Sequence, residues 1–220
     1  MMTFHYDEVG ETGLRFFGKM TASIAHEVKN VLAIINENAG LLNDFALLAQ
    51  KGRPVDPARL ENTAQNILRQ ISRADGIVKN MSAFAHSVDG MEKQVDFNEL
   101  TRRIILLAGR LVSIRGISIT LIPSEKAVML NTNPFLLENL IWLTLAYAMD
   151  LAGSAKEIFA EIRKEGDEIS LNLSKLGHLE QMSQQCPPEQ SLKKLLAVIE
   201  AELVPDIVRE ELILRFSEKI

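Results

Sequence analysis

His26 is the side chain in this sequence with the clearest capacity for covalent chemistry. Imidazole is nucleophilic when neutral, and with an ordinary pKa of about 6.5 much of it is neutral near pH 7. One ring nitrogen can attack an electrophile while an acceptor holds the N–H of the other. Glu27, the next residue, is the candidate for that orienting and proton-accepting role. Lys29 and Asn30 follow within a turn, a cation and an amide beside the nucleophile. Standing alone, a helical histidine reads as an ordinary surface residue. His5, His86 and His178 keep that reading, since they lie in a terminus, at a helix end and in a loop without ligand-spaced companions.

The stretch that must position His26 reads as one long amphipathic helix, from roughly Thr12 to Gln50. Phe17, Ile24, Val28, Val31, Ile35, Leu42 and Phe45 recur three or four apart with one gap. His26 is two residues from both Ile24 and Val28, so at about 100° per residue it points about 200° away from that stripe. Its neighbours on the outward face are Ala22, Lys29, Asn30 and Ala33.

Gly52 and Pro54 end this helix, and Asp56 before Pro57 is a capping side chain followed by proline at the first helical position. A second helix then runs to about Ser87. Leu60, Ala64, Ile67, Ile71, Ala74, Val78, Met81 and Ala85 alternate spacings of four and three, the pattern of an a/d seam. A hairpin of two such helices cannot bury both seams alone. Pairing two hairpins into a four-helix bundle does so, which predicts a homodimer.

The string AHEVKNVLA closely resembles the H-box of the two-component histidine kinases, with the match carried by His26, Glu27, Lys29 and Asn30. In that family the helical histidine carries a phosphoryl group. The spacing of Glu27 and Asn30 resembles the pair that in related kinases orients a water against a receiver's phosphoaspartate. Val31 stands where the family usually has proline, so the helix should continue straight with its hydrogen bonds intact.

After a linker at Gly90–Gln94 the pattern changes. A helix is expected from near Asn98, with Leu100, Ile104, Leu107 and Leu111 on one face, then strands at Ile117–Ile122 and Ala127–Leu130. Asn133-Pro134 opens an apolar helix that stops near Gly153. Two alternating runs around Glu165-Gly166-Asp167 read as a hairpin, Gln181–Pro188 as a loop, Ser191 to about Leu203 as a helix, and EELILRFSE as a final strand. This order predicts an α+β sandwich with helices on one face of a mixed sheet. The expected fold is therefore a helical hairpin forming a dimeric four-helix bundle over residues 1–92, followed by an α/β sandwich over 93–220.

The second half resembles the ATP-binding domain of the same kinases, the Bergerat fold, in degenerate form. Its entry VDFNEL and the helix NPFLLENLIWLTLAYAMDLA carry that likeness. Lined up from Asn133-Pro134, the family's two asparagines for nucleotide and magnesium fall on Leu143 and Tyr147, and Ala148 is retained. Ser174 stands where the family has its acidic adenine contact, and Gly177 is the only glycine after it. Magnesium takes oxygen ligands, which Leu143 does not offer and a tyrosine ring supplies poorly. Neither bound cofactor nor metal is expected, and neither is autophosphorylation from ATP.

The resemblance thus implies a histidine phosphotransferase that works with response-regulator receiver domains, magnesium being supplied by the receiver. A receiver-aspartate phosphatase or a non-catalytic pseudokinase is the alternative. Composition agrees with a signalling protein more than a nucleic-acid binder: 24 Lys and Arg against 29 Asp and Glu give a net charge of −5 with the signs interspersed. The opening MMTFHYDEVG lacks the apolar run of a signal peptide, and the strongly apolar run Asn139–Met149 is far short of the ~20 residues that span a bilayer. A cytoplasmic protein free of the membrane is the expectation. The lone Cys186 excludes an internal disulfide.

Overall fold

The computed structural model describes residues 3–154, 156–181 and 190–217. Contacts divide the chain into two compact units. One is Thr21–Ala83, and the other joins the stretch ending at Met20 to everything from Phe84 onward.

The Thr21–Ala83 unit is an antiparallel pair formed by α1 (Thr3–Gln50) and α2 (Pro57–Ala85). Gly52 ends the first helix with φ +70°, a conformation glycine adopts without steric cost. The Asp56 carboxylate starts the second by accepting from the Ala58 N–H at 3.0 Å. One heptad column of α1 is buried: Ile24, Val31, Asn38 and Phe45. Val28, Ile35 and Leu42, expected in the same stripe, are half-buried beside it. The Arg59 guanidinium lies 5.0 Å from the centre of the Phe45 ring, and Arg73 pairs with Glu27. Between these two cross-contacts lie Asn38 and Thr63, both buried. Each returns its hydrogen bond to its own helix, to the carbonyls of Ile34 and Arg59 respectively, at 2.8 Å.

The seam expected on α2 is not the face turned inward. Thr63 is buried and Ile67, Gln70, Ala74 and Ile77 are half-buried, whereas Leu60, Ile71, Val78 and Met81 remain 37–55% exposed. Only Ile67 and Ala74 of the expected seam are partly covered within one chain.

The second unit is a two-layer sandwich. Its five-stranded sheet runs in the order β2 (Ser118–Ile122), β4 (Glu157–Glu165), β5 (Glu168–Ser174), β7 (Glu211–Ser217), β6 (Glu202–Asp206). The β2–β4 pair is parallel and the other pairs are antiparallel. A separate antiparallel pair joins β1 (Lys93–Asp96) to β3 (Met129–Thr132). Alternation explains the layering. Ile158, Ala160 and Ile162, then Ile169, Leu171 and Leu173, then Leu212, Leu214 and Phe216 are buried on one face. Phe97, at the start of α3 (Phe97–Leu107), meets Phe216 edge-on at 5.2 Å. The short α4 (Gly109–Ile114) follows, and α5 (Pro134–Leu151) packs against α3 and α6 (Gln190–Val198).

Two strands depart from the expectation. The linker and helix entry contain β1, and the tail of the expected last helix is β6, which lies at the sheet edge where Pro205 is tolerated. The third helix breaks at Ala108, and Val112 rather than Leu111 is buried after it. Asp96 caps α3 and Asn133 caps α5, their side chains accepting from Asn98 and Leu136 at 3.0 Å. The expected loop at Gln181–Pro188, with Cys186, lies outside the described residues except for Gln181.

Aromatic contacts hold the beginning of α1 in this unit. Phe16 lies 5.4 Å from Phe84 and 5.6 Å from Phe135, and Phe17 stacks on Phe84 at 5.4 Å. A Cβ on Gly13 would sit 2.9 Å from Phe135 Cε1, so only glycine lets that ring lie against the helix.

Candidate functional site

His26 lies in the Thr21–Ala83 unit, on a helix that runs unbroken past Val31, as expected where proline is missing. Its side chain is half-buried rather than fully turned to solvent. Ala22, Lys29, Asn30 and Ala33 are exposed, so the outward strip of α1 forms as the spacing predicts. The imidazole therefore has small side chains one turn to either side and an amide and an ammonium on one flank. That geometry leaves room for a partner's surface.

Glu27 faces the second helix. Its Oε1 accepts from the Arg73 guanidinium of α2, and its side chain is only 28% exposed. That ion pair ties the carboxylate to the second helix. Arg73 was not legible as a site residue, because it is one of several basic residues on α2 and nothing in its spacing singles it out.

The helix that the resemblance aligns with the magnesium and nucleotide asparagines is α5. Leu143 is half-buried, Tyr147 is 5% exposed, and Ala148 is fully buried. Ser174 is half-buried and ends β5, paired with Phe159 of β4. An alkyl chain and a buried ring replace the oxygen ligands that magnesium requires. The residues present do not fit a magnesium–nucleotide complex. Among the described residues no cluster of three His, Cys, Asp or Glu side chains could hold a metal ion.

The polar groups that α5 does carry were missed by sequence reading. Glu138 is fully buried and accepts from Arg103 Nη1 at 3.0 Å. Burial pushes its carboxyl up to about 7, against the lowering effects of the Arg103 guanidinium and the Ser87 hydroxyl. Asn139 is also fully buried, and neither its amide nitrogen nor its amide oxygen has a hydrogen-bond partner among the described residues. The only signal was the dipeptide Glu138-Asn139 inside an otherwise apolar helix.

By length and composition alone a stretch within Val9–Gln50 would pass as a membrane span, with a mean hydropathy of 1.2 over its best window. The core helices of soluble proteins pass the same measure.

No protein-family model matches this chain, and no curated protein does. Solved structures do. The catalytic domain of the histidine kinase ThkA is 10% identical, covering 59% of this chain and 99% of its own, at a TM-score of 0.47. The Acinetobacter baumannii histidine kinase AdeS is 10% identical over 89% of this chain and 98% of its own, with a TM-score of 0.45. ThkA in complex with the response regulator protein TrrA is 16% identical over 98% of this chain and 66% of that one, with a TM-score of 0.46. All three are histidine kinases. At such identities, and with TM-scores below 0.5, the likeness carries no weight for this chain's chemistry, which must be read from its own residues.

Proposed function

We propose that this chain is a two-component signalling protein that carries a phosphoryl group on His26 between the aspartates of response-regulator receiver domains. The observation that carries the reading is the contrast between an intact H-box on an accessible helical strip and an α5 that lacks every expected oxygen ligand for magnesium. In the transfer, a ring nitrogen of neutral His26 attacks the phosphorus of a receiver's aspartyl phosphate. The P–O bond to the aspartate breaks and its electron pair returns to the carboxylate. The proton on the other ring nitrogen is left for Glu27 Oε2, while Arg73 holds Oε1. Magnesium and charge stabilisation come from the receiver's own acidic site, so the loss of a nucleotide site on α5 does not block the step.

The protein works as a cytoplasmic homodimer in this reading. Its support is the apolar seam of α2, exposed in a single chain at Leu60, Ile71, Val78 and Met81. A second reading, a receiver phosphatase, is favoured by one feature: Asn30 stands exposed on the same strip, one turn from His26. The experiment that decides is to mix the protein with a receiver carrying labelled phosphate. Label on the protein supports transfer, whereas label released as inorganic phosphate supports the phosphatase. His26→Ala and His26→Gln should abolish acceptance, and Asn30→Ala should mainly slow dephosphorylation. Relay between receivers by the His26→Ala variant would overturn the proposal.

A further inference from the structure

A cleft of about 660 Å³ opens in the second unit, to which all of its lining residues belong. Its size falls in the range of small-molecule sites. It is walled by α1 between residues 9 and 17, by linker residues 88–91, by the first turn of α5 and by Val198 at the end of α6. On α5 it reaches only Asn133, Phe135 and Leu136, about two turns before Leu143. The lining is largely apolar, and much of it stands open. Leu14, Val88 and Met91 are more than half exposed, and Phe17 and Val198 more than a third. Large apolar side chains that converge on one concavity form a patch, and such patches mark binding sites more often than scattered apolar residues do.

Gly10 and Gly13, three apart and so on one face of α1, open the floor of the cleft. Gly13 is required by the Phe135 ring, which a Cβ would meet at 2.9 Å. Gly10 has no such reason, since a Cβ there would meet no atom of the described residues within 4 Å. Glycine is among the residues least favoured inside a helix, so what its missing side chain contributes here is space in the cleft. Charge narrows what that space can take. Among the described lining residues Asp89 is the only ionisable one. Its Oδ2 lies 2.6 Å from His86 Nδ1, and its side chain is 55% exposed. A carboxylate accepts more than one donor, so Asp89 keeps capacity for a second. Lys93 donates to the His86 carbonyl at 3.1 Å and is not part of the lining. Asn133, the other polar side chain of the wall, accepts from the Leu136 N–H as the cap of α5.

We propose that this cleft binds a small hydrophobic amine, its apolar body between α1, α5 and the end of α6 and its ammonium on the Asp89 carboxylate. The body covers Leu14, Phe17 and Phe135 and takes their surface out of water. The ammonium donates to Asp89 in a charge-assisted hydrogen bond, which a neutral alcohol of the same shape makes more weakly. A carboxylate of that shape would bring like charge against Asp89 in an apolar surround. The site uses no group of the strip around His26, which belongs to the other unit.

Met91 lines the cleft and Met81 lies on the exposed seam of α2, so their methyl resonances separate the cleft from apolar surface elsewhere. The test titrates the full chain, carrying methyl-labelled methionine, with phenylbutylamine. A saturable shift of the Met91 methyl is expected, with Met81 unmoved. Phenylbutanol should bind about three- to fivefold more weakly, the measure of one exposed charge pair, and phenylbutanoate more weakly still. Asp89→Asn should bring the amine down to the affinity of the alcohol and leave the alcohol unchanged. Gly10→Leu fills the cleft from a helix whose propensity it improves, and should weaken the amine at least about tenfold. Gly40→Leu makes the same change at another open position of α1 and should leave binding unchanged. The proposal is overturned if phenylbutylamine up to about 10 mM moves the Met91 methyl no more than that of Met81. It is equally overturned if phenylbutanoate binds as tightly as the amine, or if Gly10→Leu and Gly40→Leu bind alike.

Discussion

Helix α5 is apolar nearly throughout and α2 carries an apolar seam along its length, and the two solve the burial problem in opposite ways. On α5, Leu137, Leu140, Ile141 and Leu145 are fully covered by the chain itself. On α2, Leu60, Ile71, Val78 and Met81 form an equally regular seam that the chain leaves in water. Surface patches of this kind mark interaction sites more often than scattered apolar residues do. The difference teaches that periodicity identifies an apolar face but not what covers it. One helix completes a core, and the other leaves its apolar seam exposed.

The comparison can be broken first at α5. Leu145→Ala should cost about 2–5 kcal/mol through lost burial and a cavity. Thermal or urea unfolding followed by circular dichroism should show that loss at every protein concentration. Equal losses for an alanine at Ile71 in dilute monomer would remove the distinction between the helices.

Glu138 gives the next largest effect, on the order of 3 kcal/mol across its titration. Its folded pKa of about 7 lies above the ordinary 4.5, because burial outweighs the Arg103 charge. Between those values the folded chain holds more protons than the unfolded one. Stability contributed by this group is therefore fully present below about pH 4.5 and is lost as the pH rises toward 7. Unfolding midpoints measured from pH 5 to 8 should fall in the wild type, and Glu138→Gln should flatten that slope. A parallel slope in both proteins would assign it to other groups.

At α2 the comparison is sharpened by Ile71→Asp, which places a charge in the open seam. Light scattering should show dimers turning into monomers, with a loss of about 1–3 kcal/mol in association. The single chain should keep its helical signal, because Ile71 is already 43% exposed within it. An unchanged dimer would locate the interface elsewhere. The smallest effect expected is none: calorimetry should give no magnesium-dependent binding of ATP, since Leu143 and Tyr147 replace the ligands. A micromolar magnesium-dependent site would contradict the reading of α5.

Much of this architecture was legible because local chemistry determines it. Asp56-Pro57 and Asn133-Pro134 cap helices where their side chains said they would, and the turn at Gly166 joins β4 to β5 with φ +62°. The elements that escaped depend on distant partners. β1 exists because β3 pairs with it, and β6 because β7 does. Four or five residues of mixed polarity carry no periodic signal by themselves. The inward face of α2 escaped for a related reason, since its two candidate stripes overlap and only α1 selects between them. At the candidate site, the outward strip around His26 followed from helical geometry. The pairing of Glu27 with Arg73 did not, because it spans 46 positions of sequence.

Asn38 and Thr63 interrupt the hydrophobic interior of the hairpin at neighbouring levels, and each is content with its own backbone carbonyl. Sliding one helix by a heptad would set the amide of Asn38 against aliphatic side chains while stranding Thr63 against others. Correct alignment keeps the two polar groups together and the apolar layers unbroken on either side. The pair therefore acts as an indexing mark: it adds little to how strongly the helices adhere, but it makes the native offset better than its nearest competitors, and so fixes the level at which Arg73 meets Glu27 beside His26.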